Sequence, residues 1–173
     1  MDLASTIRTV PDFPQKGIQF KDITTLLQNP VAFRYVIDSW KERYQSKDLS
    51  AIVGADARGF IFGAALAYAL GVSLVPVRKL GKLPAETIAE EFELEYGTAT
   101  FEIHKDALNK GDRVVLIDDL LATGGTMRAM VNLVNKLGGV IVEIAFVVEL
   151  PLLKGRERIA EYPVHSLVEF LVH

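Results

Sequence analysis

Two adjacent carboxylates, Asp118 and Asp119, stand just ahead of an Ala-Thr-Gly-Gly-Thr turn, residues 122–126, in the stretch VVLIDDLLATGGT. Side by side at a buried position, two carboxylates repel each other and need partners such as sugar hydroxyls, a cation or basic side chains. The turn offers a complementary chemistry. Gly124 and Gly125 leave the backbone bare, Thr123 and Thr126 add hydroxyls, and a helix starting here would aim amide N–H groups and its dipole at an anion such as phosphate. The plain alternative is a structural turn in which Thr126 caps the helix. The loop lacks the lysine and spacing of a Walker loop and does not read G-x-G-x-x-G. A dinucleotide site keeps its ribose acid about twenty residues beyond the glycines. Here the acids come first, by only a few residues, so one loop would hold both a sugar and its 5′-phosphate.

Such a loop has to be placed by the elements around it. Val114 to Ile117 reads as a strand that carries the aspartates to its carboxyl end. From Gly124 to Leu137 the residues Met127, Met130, Val131, Val134 and Leu137 recur at helical spacing, and Gly138-Gly139 ends the run before a strand from Val140 to Val148. Upstream, Pro30 opens an amphipathic helix to Tyr44, Ser50 to Gly54 and Val72 to Val77 read as strands, and Gly59 to Leu70 is a helix closed by Gly71. That last helix is apolar on nearly every side and is expected to be buried. The β-branched runs do not alternate with polar residues, which predicts strands covered on both faces. The βαβ succession predicts an α/β fold with a mostly parallel, doubly wound sheet whose ligands sit beyond the carboxyl ends of its strands. Glu86 to Glu102 is acidic and alternates at Leu94, Tyr96, Thr98 and Thr100, which predicts a solvent-exposed hairpin acting as a mobile flap.

Composition narrows the function classes. The 173 residues are half hydrophobic and contain no linker or repeat, so a single domain spanning residues 1–173 can bury its own core. Cysteine is absent, which excludes disulfides and thiolate metal sites and suits the cytoplasm. The apolar run from Phe60 to Leu70 is too short for a bilayer, so no membrane partner is expected. A net charge of −3 argues against a nucleic-acid partner, which needs a basic face. Any anionic ligand must meet a local cluster, and the densest basic run is Arg78, Lys79 and Lys82. His104, His165 and His173 show no ligand spacing.

Hydrophobic strand, Asp-Asp, two spacers and A-T-G-G-T resembles the phosphoribosyl pyrophosphate (PRPP) motif of the type I phosphoribosyltransferases, in the form found among adenine phosphoribosyltransferases. The segments PDFPQKGIQFKDIT (11–24), GADARGF (54–60), RKLGKLPAET (78–87), LEYG (94–97) and ELPLLKGRE (149–157) resemble the same family in the same order. The resemblance implies the type I phosphoribosyltransferase fold, with an N-terminal base-binding hood over residues 1–29 and a flexible β-hairpin flap over residues 82–102. It implies conversion of adenine and PRPP to AMP and pyrophosphate, with Mg²⁺, in a purine-salvage homodimer.

Residue roles follow from the same resemblance. Asp118 and Asp119 would hold the ribose hydroxyls, and Ala122, Thr123, Gly124, Gly125 and Thr126 the 5′-phosphate. Arg78, Lys79 and Lys82 would meet pyrophosphate on a loop where many bacterial members carry proline and this chain has Leu80. Mg²⁺ would be held mainly by substrate oxygens and water, with no direct protein ligand named. Adenine would be read by the main chain of Gln19, stacked between Phe20 and Leu120, with Arg58 reaching N3. Glu95, on the flap, would exchange a proton with the base or stabilise its cationic form, and Tyr96 would cover the site. A hood for another purine base, or a PRPP-sensing regulator with no catalysis, would share the Asp-Asp and glycine loop; the regulator would need a helix-turn-helix or basic face that the sequence does not display.

Overall fold

The computed structural model describes residues 1–94 and 97–172. Two short strands, β1 (Arg8–Pro11) and β2 (Gln19–Asp22), pair antiparallel and lead into α1 (Thr24–Leu27). Asn29 then caps α2 (Pro30–Tyr44), its side chain accepting from the amides of Val31 and Ala32 while Pro30 occupies the first turn. The rest is an α/β sandwich. β3 (Ala51–Ala55), α3 (Arg58–Leu70), β4 (Ser73–Lys79), the hairpin β5 (Thr87–Leu94) and β6 (Gly97–His104), β7 (Arg113–Leu121), α4 (Gly125–Lys136), β8 (Val140–Glu149) and β9 (Val164–Glu169) follow in order.

Seven strands form one sheet in the order β5-β6-β4-β3-β7-β8-β9. The four pairings from β4 through β9 are parallel, and the hairpin adds an antiparallel edge. Strand residues alternate between two cores, which explains the missing polar alternation. Val114 and Leu116 pack with α4 on one face; Val115 and Ile117 pack with α2, α3 and the N-terminal segment on the other. Trp40 and Tyr44 lie wholly within the second core, against Phe62 in the case of Trp40.

Two expectations need correction. The helix from 58 to 70 buries only one side, through Phe62, Gly63, Leu66 and Ala67, while Ile61 and Tyr68 face outward, Tyr68 at 91% exposure. A sheet face shared with α2 covers a single stripe of a helix, whatever the polarity of the rest. Nor is the hairpin simply solvent-exposed. Phe101 and Ile103 are buried in the first core, Phe92 packs on Phe101 at 4.8 Å between ring centroids, and Glu90 is bound by Lys136 and Asn132 of α4. The half of the hairpin next to β4 is therefore a wall of the domain.

Candidate active site

β7 runs four residues beyond Ile117, so Asp118 and Asp119 lie within the strand instead of just past it. The neighbouring β8 continues to Glu149 and pairs Asp118 with Phe146 and Leu120 with Val148, which outweighs the poor strand propensity of aspartate. The first turn of α3 closes against this point. A Cβ on Gly59 would lie 3.1 Å from Asp118 Oδ1, so the helix start can approach the strand only without a side chain there. Asp118 Oδ1 accepts from the Asp119 amide at 2.8 Å, and Asp119 Oδ2 accepts from Arg58 Nε at 2.5 Å. Burial, with the negative charge of Asp119 beside it, pushes the Asp118 carboxyl well above the ordinary carboxylate range.

The glycine turn opens α4. Gly124 is the N-cap with φ +87°, and no side chain caps the first turn, so Thr126 is not the cap that the plain structural reading requires. The amides of that turn are thus left for another acceptor. Gly124 itself serves the fold: a Cβ there would lie 2.6 Å from the carbonyl oxygen of Gly155. Its bareness thus answers a packing contact with the chain as well, which the sequence does not announce. A Cβ on Gly125 would meet Arg158 Nη1 at 3.1 Å and the Glu93 carbonyl at 3.6 Å.

Two cavities meet at these residues. One, of about 210 Å³, is lined by Arg58, Asp118, Asp119 and the whole loop from Leu120 to Thr126. The other, of about 440 Å³, lies under the hairpin and shares Arg58, Asp118, Asp119 and Thr126 with the first. Its remaining wall includes Asp56, Lys79, Phe92, Leu94 and Phe101. Together they make one cleft with an amide-rich end and a broader end, and the carboxylates stand between. That is room for a phosphorylated sugar with a group on either side of its ring.

Residues 22–170 match the family model described as the phosphoribosyl transferase domain. An adenine phosphoribosyltransferase of Chloroflexus aurantiacus is 60% identical over 169 residues, covering 98% of each chain. The chain belongs to the adenine phosphoribosyltransferase family. The crystal structure of the adenine phosphoribosyltransferase of Thermoanaerobacter pseudethanolicus superposes with a TM-score of 0.93 at 52% identity, covering 98% of both chains. That of Saccharomyces cerevisiae, complexed with D-2,5-dideoxy-2,5-imino-altritol 1,6-bisphosphate and adenine, gives 0.91 at 42% identity over 96% of each chain. The type I phosphoribosyltransferase fold is therefore the fold of this chain.

Within that fold the remaining expected residues take unequal places. Arg78 and Lys79 end β4, two residues further along the strand than the sequence suggested, paired in register with Glu102 and Phe101 of β6. Arg78 Nε donates to Asp56 Oδ2 at 3.2 Å, and Lys79 lines the broader cavity. Lys82 is exposed and lines neither cavity. The loop between is pinned without proline: Leu80 N donates to the Thr100 carbonyl at 3.0 Å, and Gly81 N to Glu102 Oε1 at 2.7 Å. In the N-terminal segment Phe20 stacks edge-on against Phe13 at 5.1 Å and lies 5.8 Å from the Arg58 guanidinium, which ties it to Asp119. Gln19, on β2, is exposed and lines neither cavity, whereas Leu120 lines the smaller one. Glu95 and Tyr96 lie outside the described residues. Asp56 and Arg158 were not singled out from sequence. Asp56, two residues before Arg58 at the end of a buried strand, had a readable signal; Arg158 had none.

Proposed function

We propose that this chain converts adenine and PRPP to AMP and pyrophosphate, as a purine-salvage enzyme of the cytoplasm. The observation that supports it most is the single cleft in which uncapped amides, two carboxylates and a lysine-bearing strand end succeed one another. In this reading the first-turn amides of α4, with Ala122, Thr123, Gly124, Gly125 and Thr126, bind the 5′-phosphate. Asp118 and Asp119 accept from the ribose hydroxyls. Arg78, Lys79 and Lys82 receive the pyrophosphate from the broader side.

Displacement at the anomeric carbon builds positive charge on the ribose ring and negative charge on the leaving group. The carboxylates answer the first, and the basic residues the second. Hard oxygen donors at Asp118 and Asp119 suit Mg²⁺, but one oxygen of Asp119 is already held by Arg58, and no three metal-binding side chains gather among the described residues. The ion would thus be held mainly by substrate oxygens and water, and when bound it supplies charge neutralisation on the pyrophosphate.

Adenine would enter beneath the hood, residues 1–29, with Phe20 and Leu120 on its two faces, Arg58 at N3 and the Gln19 main chain at the 6-amino edge. A backbone acceptor beside a donor favours adenine over 6-oxo purines, which would leave both unpaired. The hairpin over residues 82–102 would act as the flap, with Glu95 exchanging a proton with the base and Tyr96 covering it. A homodimer is supported by the apolar side chains that α2 and α3 leave outside, Val31, Tyr35, Ile61 and Tyr68.

The test is to offer adenine, hypoxanthine, guanine and xanthine separately with PRPP and Mg²⁺, and to follow nucleotide and pyrophosphate. AMP from adenine alone is expected. A different nucleotide would overturn the hood assignment, and PRPP binding without any product would overturn the enzymatic reading.

A further inference from the structure

Behind the phosphate loop stands a segment to which the roles above give no part. Between β8 and β9 the chain turns through residues 155–159, and a buried carboxylate holds that turn. Glu149 accepts from Arg156 Nε and Nη2, both at 2.8 Å, and from Ser166 Oγ at 2.6 Å. Gly155 is thereby set against the loop: a Cβ there would lie 2.5 Å from the Ala122 carbonyl oxygen and 2.7 Å from Leu121 Cδ1. From the other side Arg128, on α4, donates Nη1 to the Arg158 carbonyl at 3.2 Å. The turn that carries Arg158 is thus held at its start, through Arg156, and at the Arg158 carbonyl.

Its side chain lies over the glycines. The Arg158 Cβ is 3.3 Å from where a Gly124 Cβ would be, and its Nη1 is 3.1 Å from where a Gly125 Cβ would be. The neighbouring guanidiniums are engaged elsewhere: Arg58 with Asp119, Arg78 with Asp56, Arg128 with Glu161 and Asn132, and Arg156 with Glu149. Among the described residues Arg158 is in no ion pair. A 5′-phosphate monoester carries about −1.5 to −2 charge at neutral pH. The Ala-Thr-Gly-Gly-Thr loop answers it with amides, a dipole and hydroxyls, none of which is a full positive charge.

We propose that Arg158 is a binding residue for the 5′-phosphate, supplying from outside the loop the cation that the loop lacks. This rests on the PRPP reading of the cleft. An arginine at the rim of an amide nest discriminates a phosphorylated from an unphosphorylated nucleoside without touching the base or the anomeric carbon.

Calorimetric titration of AMP and of adenosine into wild type, Arg158→Ala and Arg158→Lys tests it. Arg158 is exposed, so truncation leaves the core untouched. Arg158→Ala is expected to weaken AMP about tenfold, as the loss of one charge-assisted pair does, and Arg158→Lys only a few-fold, with adenosine unchanged in all three. AMP binding by Arg158→Ala equal to wild type would overturn the assignment, as would an equal loss for adenosine. Wild type with no preference for AMP over adenosine would remove the PRPP reading itself, and this assignment with it.

Discussion

Arg58 Nε and Asp119 Oδ2 are 2.5 Å apart, so the residue proposed for adenine and a residue proposed for ribose share one ion pair. Asp119 is buried and Arg58 half exposed, which makes the carboxylate the more demanding partner. Arg58→Ala leaves that charge uncompensated. It should raise KM for adenine by about tenfold, the cost of one charge-assisted contact, and an unchanged adenine KM would remove Arg58 from the base site.

Asp119→Asn keeps the shape of the site and removes the charge that faces the developing cation. Turnover should fall by roughly a hundredfold, the scale of losing one preorganised electrostatic contact, with the far-ultraviolet circular dichroism unchanged. Wild-type kcat and KM in this variant would sink the ribose assignment.

Asp118 predicts a pH dependence of opposite sense to that of a salt-bridged acid. Its folded pKa is raised above the ordinary 3.8 by burial and by Asp119. Its contribution to stability is therefore complete below 3.8 and is lost as pH rises through the raised folded value. Asp118→Asn does not titrate. It should be more stable than wild type at pH 8 by about 1 kcal/mol, or roughly 2–4 °C in Tm, and the difference should shrink toward pH 4. Thermal unfolding at both pH values checks this; a variant less stable at pH 8 would contradict it.

The two loop glycines should fail differently. Gly124→Ala drives a methyl into the Gly155 carbonyl and strains a φ of +87°, so it should cost stability of roughly 1–3 kcal/mol. Gly125→Ala meets chiefly the movable end of Arg158 and should leave Tm within about 1 °C, an effect below 0.5 kcal/mol. Gly125→Val carries a larger group toward the proposed phosphate and should abolish PRPP binding. Retained PRPP affinity there would refute the cradle.

Glu102 links the hairpin to the basic loop, accepting from Gly81 N and from the Thr87 hydroxyl, whose bond comes first in holding its carboxyl below the ordinary range. Glu102→Ala should loosen residues 79–82. KM for pyrophosphate in the reverse reaction is then expected to rise several-fold while that for AMP stays. An unaltered pyrophosphate KM would show that the loop keeps its place without this clamp.

How much of this was legible in the sequence depends on the range of the cause. The helix from Pro30 to Tyr44 is legible to the residue, because proline and periodicity are local signals, while its Asn29 cap emerges only in the structure. Gly71 as a C-cap, with φ +69°, was equally plain. The length of β7 was not, since the ladder that carries it through Asp118 to Leu121 comes from β8, two elements away in the chain. The same holds for Gly124, whose reason is the carbonyl of Gly155, and for the hairpin, whose buried side depends on α4. Types and spacing revealed the carboxylates and the loop; only tertiary contact revealed that Arg58 pairs with Asp119 and Arg78 with Asp56.

Among the described residues β5 pairs with a strand on one side only, with β6, and its other side is an edge of the sheet that α4 meets through Lys136, at the carbonyl of Ala89 and the carboxylate of Glu90. A sheet edge invites a strand from another molecule, and in-register addition of a second copy would stack its exposed glutamates, 91 and 93, beside their own kind. Like charges facing one another across a ladder oppose that addition. The acidity of this strand is thus also a guard against aggregation, one that replacing its glutamates with neutral residues would remove.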